Sequence, residues 1–76
     1  MNNQRRKELD VIINMLNSAK DKLESIIDDE QCAFDNLPAG IQCSMHGEQM
    51  ENAIDSMNDA LDNIDEAISC IEEAQI

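Results

Sequence analysis

Cys43 and His46 are the residues whose types and spacing most directly suggest chemistry. A thiol near an imidazole can act as a nucleophile with its general base, and the same spacing occurs in metal sites. A structural zinc site needs four ligands, however, and no second pair with such spacing exists. The three cysteines are an odd number without paired spacing, which favours reduced thiols. The sequence therefore predicts no catalytic residue, no metal site and no cofactor.

Carboxylates are the second chemical group, and they dominate the charge. The 76 residues contain 17 Asp and Glu against 5 Lys and Arg, for a net charge of -12, and all five basic residues precede residue 23. Because phosphate contacts need Lys and Arg, we expect no direct nucleic-acid partner and no binding to an anionic membrane surface. We expect a basic protein surface to bind an acidic row in the second half of the chain, with a merely solubilising row as the alternative. This row comprises Glu51, Asp55, Asp59, Asp62, Asp65 and Glu66.

The acidic row lies on a segment with a sustained heptad pattern. Apolar residues recur at intervals of 4 and 3, which is typical of a coiled-coil helix; they are Met50, Ile54, Met57, Leu61, Ile64, Ile68 and Ile71. Ile54, Leu61 and Ile68 take heptad position a. An alanine row occupies position g beside this stripe: Ala53, Ala60, Ala67 and Ala74. Small side chains at these positions predict a close contact with another helix.

The first half of the chain repeats the pattern less strictly. Leucines recur at seven- or fourteen-residue intervals, at Leu9, Leu16, Leu23 and Leu37. We expect the second row of this stripe to comprise Ile12, Ala19, Ile26 and Ala33, and Ile13, Ile27 and Phe34 to broaden it.

The segment between the two patterns contains Pro38, which cannot continue a helix, and Ser44, a suitable N-cap for a second helix. The sequence thus predicts a single all-α domain over 1–76, with helices at about 4–36 and 45–75 and a loop at about 37–44. A short loop between helices of equal length favours an antiparallel hairpin. Two helices cannot cover both broad stripes, so we expect a homodimer, or a larger assembly, packed as a four-helix bundle through the alanine row.

The stretch "FDNLPAGIQCSMHGEQMENAIDSMNDAL" resembles a group of small proteins found in bacteriophage and prophage genomes. Their shared pattern is F-D-N-L-P-x-G-I-Q-x-S-x-x-G-E-x-M-E, matched here from Phe34 through Gly40 and on to Glu51. Because the sequence has no run of about 18 apolar residues and no signal-peptide pattern, we expect a cytoplasmic protein, which the resemblance places in a bacterial host. The resemblance also implies an accessory protein that binds another protein, since small phage proteins of this kind include inhibitors of host defence enzymes. It carries over no catalytic or binding residue.

Three functions remain open at this point. The first is non-enzymatic obstruction of a basic host protein, in which the acidic row imitates nucleic acid. The second is a structural coiled-coil adaptor whose whole function is its apolar association. The third is an oligomeric protein that sequesters a small signalling nucleotide, for which only five basic residues are available.

Overall fold

The architecture is two long helices that run in opposite directions and pack along most of their length. The structure is a computed structural model that describes residues 1–75, and within that range it contains no strand. Helix α1 spans Asn3–Asp35, the one-turn helix α2 spans Ala39–Gln42, and helix α3 spans Met45–Ala74. The Cα envelope measures 58 × 15 × 11 Å. The expected all-α class with two long packed helices is confirmed.

Helix α1 begins and ends at residues suited to those positions. The side chain of Asn2 accepts a hydrogen bond from the Arg5 backbone N–H at 2.8 Å, which satisfies one of the free amides of the first turn. At the other end, Pro38 stops the helix, since it lacks an N–H and restricts the residue before it. Helix α2, which the sequence reasoning did not anticipate, fills the connection that follows.

Helix α3 begins at the predicted cap. The Ser44 hydroxyl accepts from the Gly47 backbone N–H at 3.4 Å, and it also donates to the Ile41 carbonyl. Gly47 is buried, and a Cβ placed there would lie 2.1 Å from the carbonyl oxygen of Gln42. A glycine is therefore needed here because α2 and the first turn of α3 approach each other closely.

The helix–helix seam uses the expected stripe of α3 but a different pair of rows on α1. All seven apolar residues of the α3 stripe are buried or half-buried. On α1, the leucines occupy heptad position d. The second row in the seam occupies position a, and it includes Ile13, Ile27 and Phe34, which are buried or half-buried. The prediction for the second row was wrong, because its four residues are exposed: Ile12, Ala19, Ile26 and Ala33.

The register of the two helices follows from two side-chain contacts. Gln75 Nε2 donates to Asp10 Oδ1 at 3.0 Å, and Lys20 Nζ lies 2.7 Å from Asp65 Oδ1. In both pairs, 10 with 75 and 20 with 65, the residue numbers add to 85. Each residue of α1 therefore lies opposite the residue of α3 that completes this total, which requires antiparallel helices. No helix within residues 1–75 is long and apolar enough to cross a bilayer.

Candidate functional site

The side chains with nucleophilic or metal-binding character are dispersed. Cys32, Cys43 and Cys70 are exposed free thiols, and His46 is exposed. Within residues 1–75, no three His, Cys, Asp or Glu side chains converge in a way that could hold a metal ion. The candidate functional features are therefore the long faces of the hairpin.

The antiparallel pairing sorts the flanking residues of both helices onto two opposite faces. In an antiparallel coiled coil, the e positions of the two helices flank the seam on one side and the g positions flank it on the other. The observed contacts agree with this geometry. Asp10 and Asp65 both occupy position e, and each contacts a position-a residue of the opposite helix. We assign positions e and b to one face and positions g and c to the other.

The face formed by positions e and b, called the acidic face below, collects carboxylates from both helices. It contains eleven of the seventeen acidic residues: Asp10, Asp21, Glu24, Asp28, Asp35, Glu48, Glu51, Asp55, Asp62, Asp65 and Glu72. From Asp10 to Asp35, at 1.5 Å per residue, the face extends over about 38 Å, so it carries about one carboxylate per 3.5 Å. One strand of duplex DNA carries one charge per about 3.4 Å. The density of carboxylates on this face is therefore close to the charge density of a single DNA strand.

The six residues of the predicted acidic row divide between two places. All six are exposed. Glu51, Asp55, Asp62 and Asp65 lie on the acidic face, whereas Asp59 and Glu66 occupy position f on the outer edge of α3. Sequence reasoning missed the contribution of α1. The signal was present in Asp21, Asp28 and Asp35, which recur at every seventh residue.

Two lysines contribute positive charge to the acidic face. Lys7 occupies position b near the start of α1. Lys20 reaches the face from the seam. Its side chain is 29% exposed and its ammonium contacts the Asp65 carboxylate, which is 49% exposed. The aliphatic stem lies at a seam position while the charged group reaches the edge, as long basic side chains commonly do. The hydrogen bond and the charge of Asp65 raise the pKa of Lys20 above its ordinary value of 10.5.

A small open cavity of about 240 Å³ interrupts the acidic face near the loop. It is lined by Gln31, Phe34, Glu51, Ile54 and Asp55. Two carboxylates and an aromatic ring are the groups that bind a guanidinium or an ammonium, through ion pairing and a cation–π contact. The chemistry of this cavity therefore suits one basic side chain of a partner.

The opposite face, called the neutral face below, consists of positions g and c and has no net charge. Its apolar members on α1 are well exposed: Ile12 by 41%, Met15 by 65% and Ile26 by 54%. On α3, position g carries the alanine row, of which Ala67 is half-buried and the others are exposed. His46 precedes that row, and position c carries uncharged polar residues and a thiol: Gln49, Ser56, Asn63 and Cys70. The register places the row of Ile12, Ala19, Ile26 and Ala33 beside the alanine row.

The residues of the loop motif hold the hairpin together. Gln42 Nε2 donates to the carbonyl oxygens of Phe34 and Asp35, at 3.1 and 3.5 Å. These carbonyls belong to the last turn of α1, where they have no hydrogen-bond partner within the helix. Ser44 caps α3, and Gly47 permits the close approach of α2. In this structure the motif therefore has a structural role.

No family model, curated protein or solved structure matches this chain.

Proposed function

We propose that this protein is a non-enzymatic binding protein that obstructs a basic, nucleic-acid-binding surface of another protein. The observation that carries the proposal is the acidic face, where both helices contribute carboxylates at nearly the charge density of a DNA strand. A surface that accepts a phosphate backbone presents Lys and Arg at a similar spacing. Charge complementarity of this kind accelerates association and selects among partners.

The cavity at Phe34, Glu51 and Asp55 supports the proposal with a specific anchoring point. An Arg or Lys from the partner that enters it would stack on the ring and pair with a carboxylate. A partner side chain held in this way gives the interaction a fixed register, whereas a diffuse charge attraction has none. Together with the resemblance to phage proteins, this arrangement leads us to propose a host nucleic-acid enzyme, such as a defence enzyme, as the target.

We also propose that the active form is a homodimer packed as a four-helix bundle. The hairpin contains only two buried apolar side chains in the described chain, Ile27 and Ile54. A core of this size is small for an independently stable protein, and association is the common remedy.

Two variants with the same net charge test the proposal. The face variant carries Glu51→Gln, Asp55→Asn and Asp62→Asn. The control variant carries Asp59→Asn, Glu66→Gln and Glu73→Gln, all of which lie on the outer edge of α3, off the acidic face. Each removes three negative charges from the -12 of the natural chain.

The measurement is capture of nucleic-acid-binding proteins from a bacterial lysate, with elution by added duplex DNA. We expect the unmodified protein and the control variant to capture the same DNA-eluted partner, and the face variant to lose it. Equal loss by both variants would mean that only net charge matters, and the proposal would then be wrong.

A structural adaptor is the second candidate, and the exposed apolar residues of the neutral face favour it. In that case both variants should capture the same partners equally well, and duplex DNA should elute none of them.

A further inference from the structure

We infer that the neutral face is where a second copy of this chain packs, so that the two acidic faces of the dimer point in opposite directions. This inference rests on the proposed homodimer. It extends the contact predicted through the alanine row to the exposed apolar row of α1, and it specifies where the two acidic faces lie. Its functional consequence is a bivalent protein with two separate binding faces, which differs from a dimer whose acidic helices lie side by side.

The surface area of the hairpin favours a second copy as the occupant. The chain exposes 5436 Å². A compact monomeric protein of 8.5 kDa exposes about 4,700 Å², from the usual scaling of area with mass. The difference, about 700–800 Å², equals the area that each partner contributes to a standard stable interface, about 800 Å². One copy of the same long, narrow shape can cover this excess along the whole hairpin.

The charge distribution favours the same occupant on the same face. Positions g and c carry two cations, Arg5 and Lys22, and two carboxylates, Glu8 and Asp29, so their charges cancel. The acidic face would approach a second copy with a negative charge, and so would the outer edge of α3, which carries Asp59, Glu66 and Glu73. Since each chain carries -12, contact through the neutral face keeps the carboxylates of the two copies apart. Packed helix layers are about 10 Å apart, so the two acidic faces lie more than one Debye length from each other at physiological salt.

The sizes of the side chains on the neutral face also suit helix packing. Ile12 and Ile26 project from α1 with an alanine between them, while position g of α3 carries His46 in its first turn and alanine from there on. Small residues along α3 let a partner helix approach closely, and the exposed isoleucines and Met15 supply the apolar area that such a contact buries. The neutral face has no excess of carboxylates that would bind a basic partner.

A pair of single substitutions tests the placement. Ala60→Glu adds a carboxylate to the centre of the neutral face, and Ser69→Glu adds one at an exposed position on the acidic face. By sedimentation equilibrium, we expect Ala60→Glu to raise the dimer dissociation constant at least about 100-fold, because an unpaired charge in an apolar contact is strongly unfavourable. Ser69→Glu should leave the dissociation constant within about threefold of the natural value.

A second measurement uses the unmodified chain and applies even if Ala60→Glu prevents folding. Cys70 occupies position c of the neutral face, whereas Cys32 lies on the outer edge of α1. Alkylation by iodoacetamide should slow at Cys70 at least about fivefold between low and high micromolar protein, and it should not slow at Cys32. If Cys70 is unprotected in a dimer, or if the dimer tolerates Ala60→Glu, the neutral face is not the dimer contact, although the proposed homodimer still stands. A helical monomer at all concentrations would overturn the proposed homodimer as well.

Discussion

Replacement of Gly47 by alanine is the sharpest test of how the loop holds the two helices. A Cβ at this position would lie 2.1 Å from the Gln42 carbonyl oxygen, 2.6 Å from its carbon and 2.7 Å from the Ile41 oxygen. All three are backbone atoms, so no side chain can rotate away to make room. The first turn of α3 must therefore move relative to α2, which disturbs the Ser44 cap and the Gln42 contacts with α1.

Two opposing effects set the magnitude. In an unobstructed helix, Gly→Ala stabilises by about 1 kcal/mol. Overpacking against backbone costs about 3 kcal/mol at the upper end of its usual range. The expected net loss is about 2 kcal/mol. With an unfolding entropy of about 2.1 cal/mol/K per residue, a 76-residue chain has about 0.16 kcal/mol/K, so Tm should fall by about 12 °C.

The assay is thermal unfolding followed by far-UV circular dichroism at one fixed protein concentration, because association also affects Tm. Gly40→Ala is the matched control, since a Cβ at Gly40 meets nothing within 4 Å. It should leave Tm unchanged or raise it by a few degrees. If Gly47→Ala melts at or above the natural temperature, the close approach of α2 to α3 is not as described.

Three further predictions concern the loop, the ion pair and the charge. Gln42→Met keeps the aliphatic stem but removes the donor to Phe34, so it should cost about 1 kcal/mol, or about 6 °C in Tm. The pKa of Lys20 is raised in the folded state, so its contribution to stability is complete below the ordinary value of 10.5 and is lost as pH rises through the folded value. Melting curves at increasing alkaline pH should therefore show a steeper fall in Tm for the natural protein than for Asp65→Asn; parallel falls would contradict this linkage. Finally, Tm should rise with added NaCl as the Debye length shortens from about 30 Å at 0.01 M to 3 Å at 1 M, and it should rise less in the face variant. A salt-independent Tm would show that repulsion within the acidic face is weak.

The acidic face of the candidate site could be predicted only in part from the sequence. The carboxylates of α3 were evident because no cation interrupts them. Those of α1 are mixed with Lys20, Lys22 and the basic N-terminus, so their average charge concealed the regular spacing of Asp21 and Asp28. Only the antiparallel pairing places the two sets on one face.

Local features of the sequence were sufficient to predict the two long helices and the points where they end and begin at the loop, but not the one-turn helix α2 between them. Heptad spacing, Ser44 as a cap and Pro38 as a helix terminator act over a few residues, and local interactions of this kind can be recognised without a partner. Which stripe of α1 enters the seam depends instead on how the two helices pack against each other. Helix α1 has two overlapping stripes, one at positions a and d and one at positions g and d. The stripe that packs in the seam includes Lys20, a charged residue that hydrophobicity alone would not place in a helix contact. The row with Ile12 and Ile26 is more uniformly apolar, yet it stays exposed, because burial depends on the register with α3 and on where a long side chain can carry its charge.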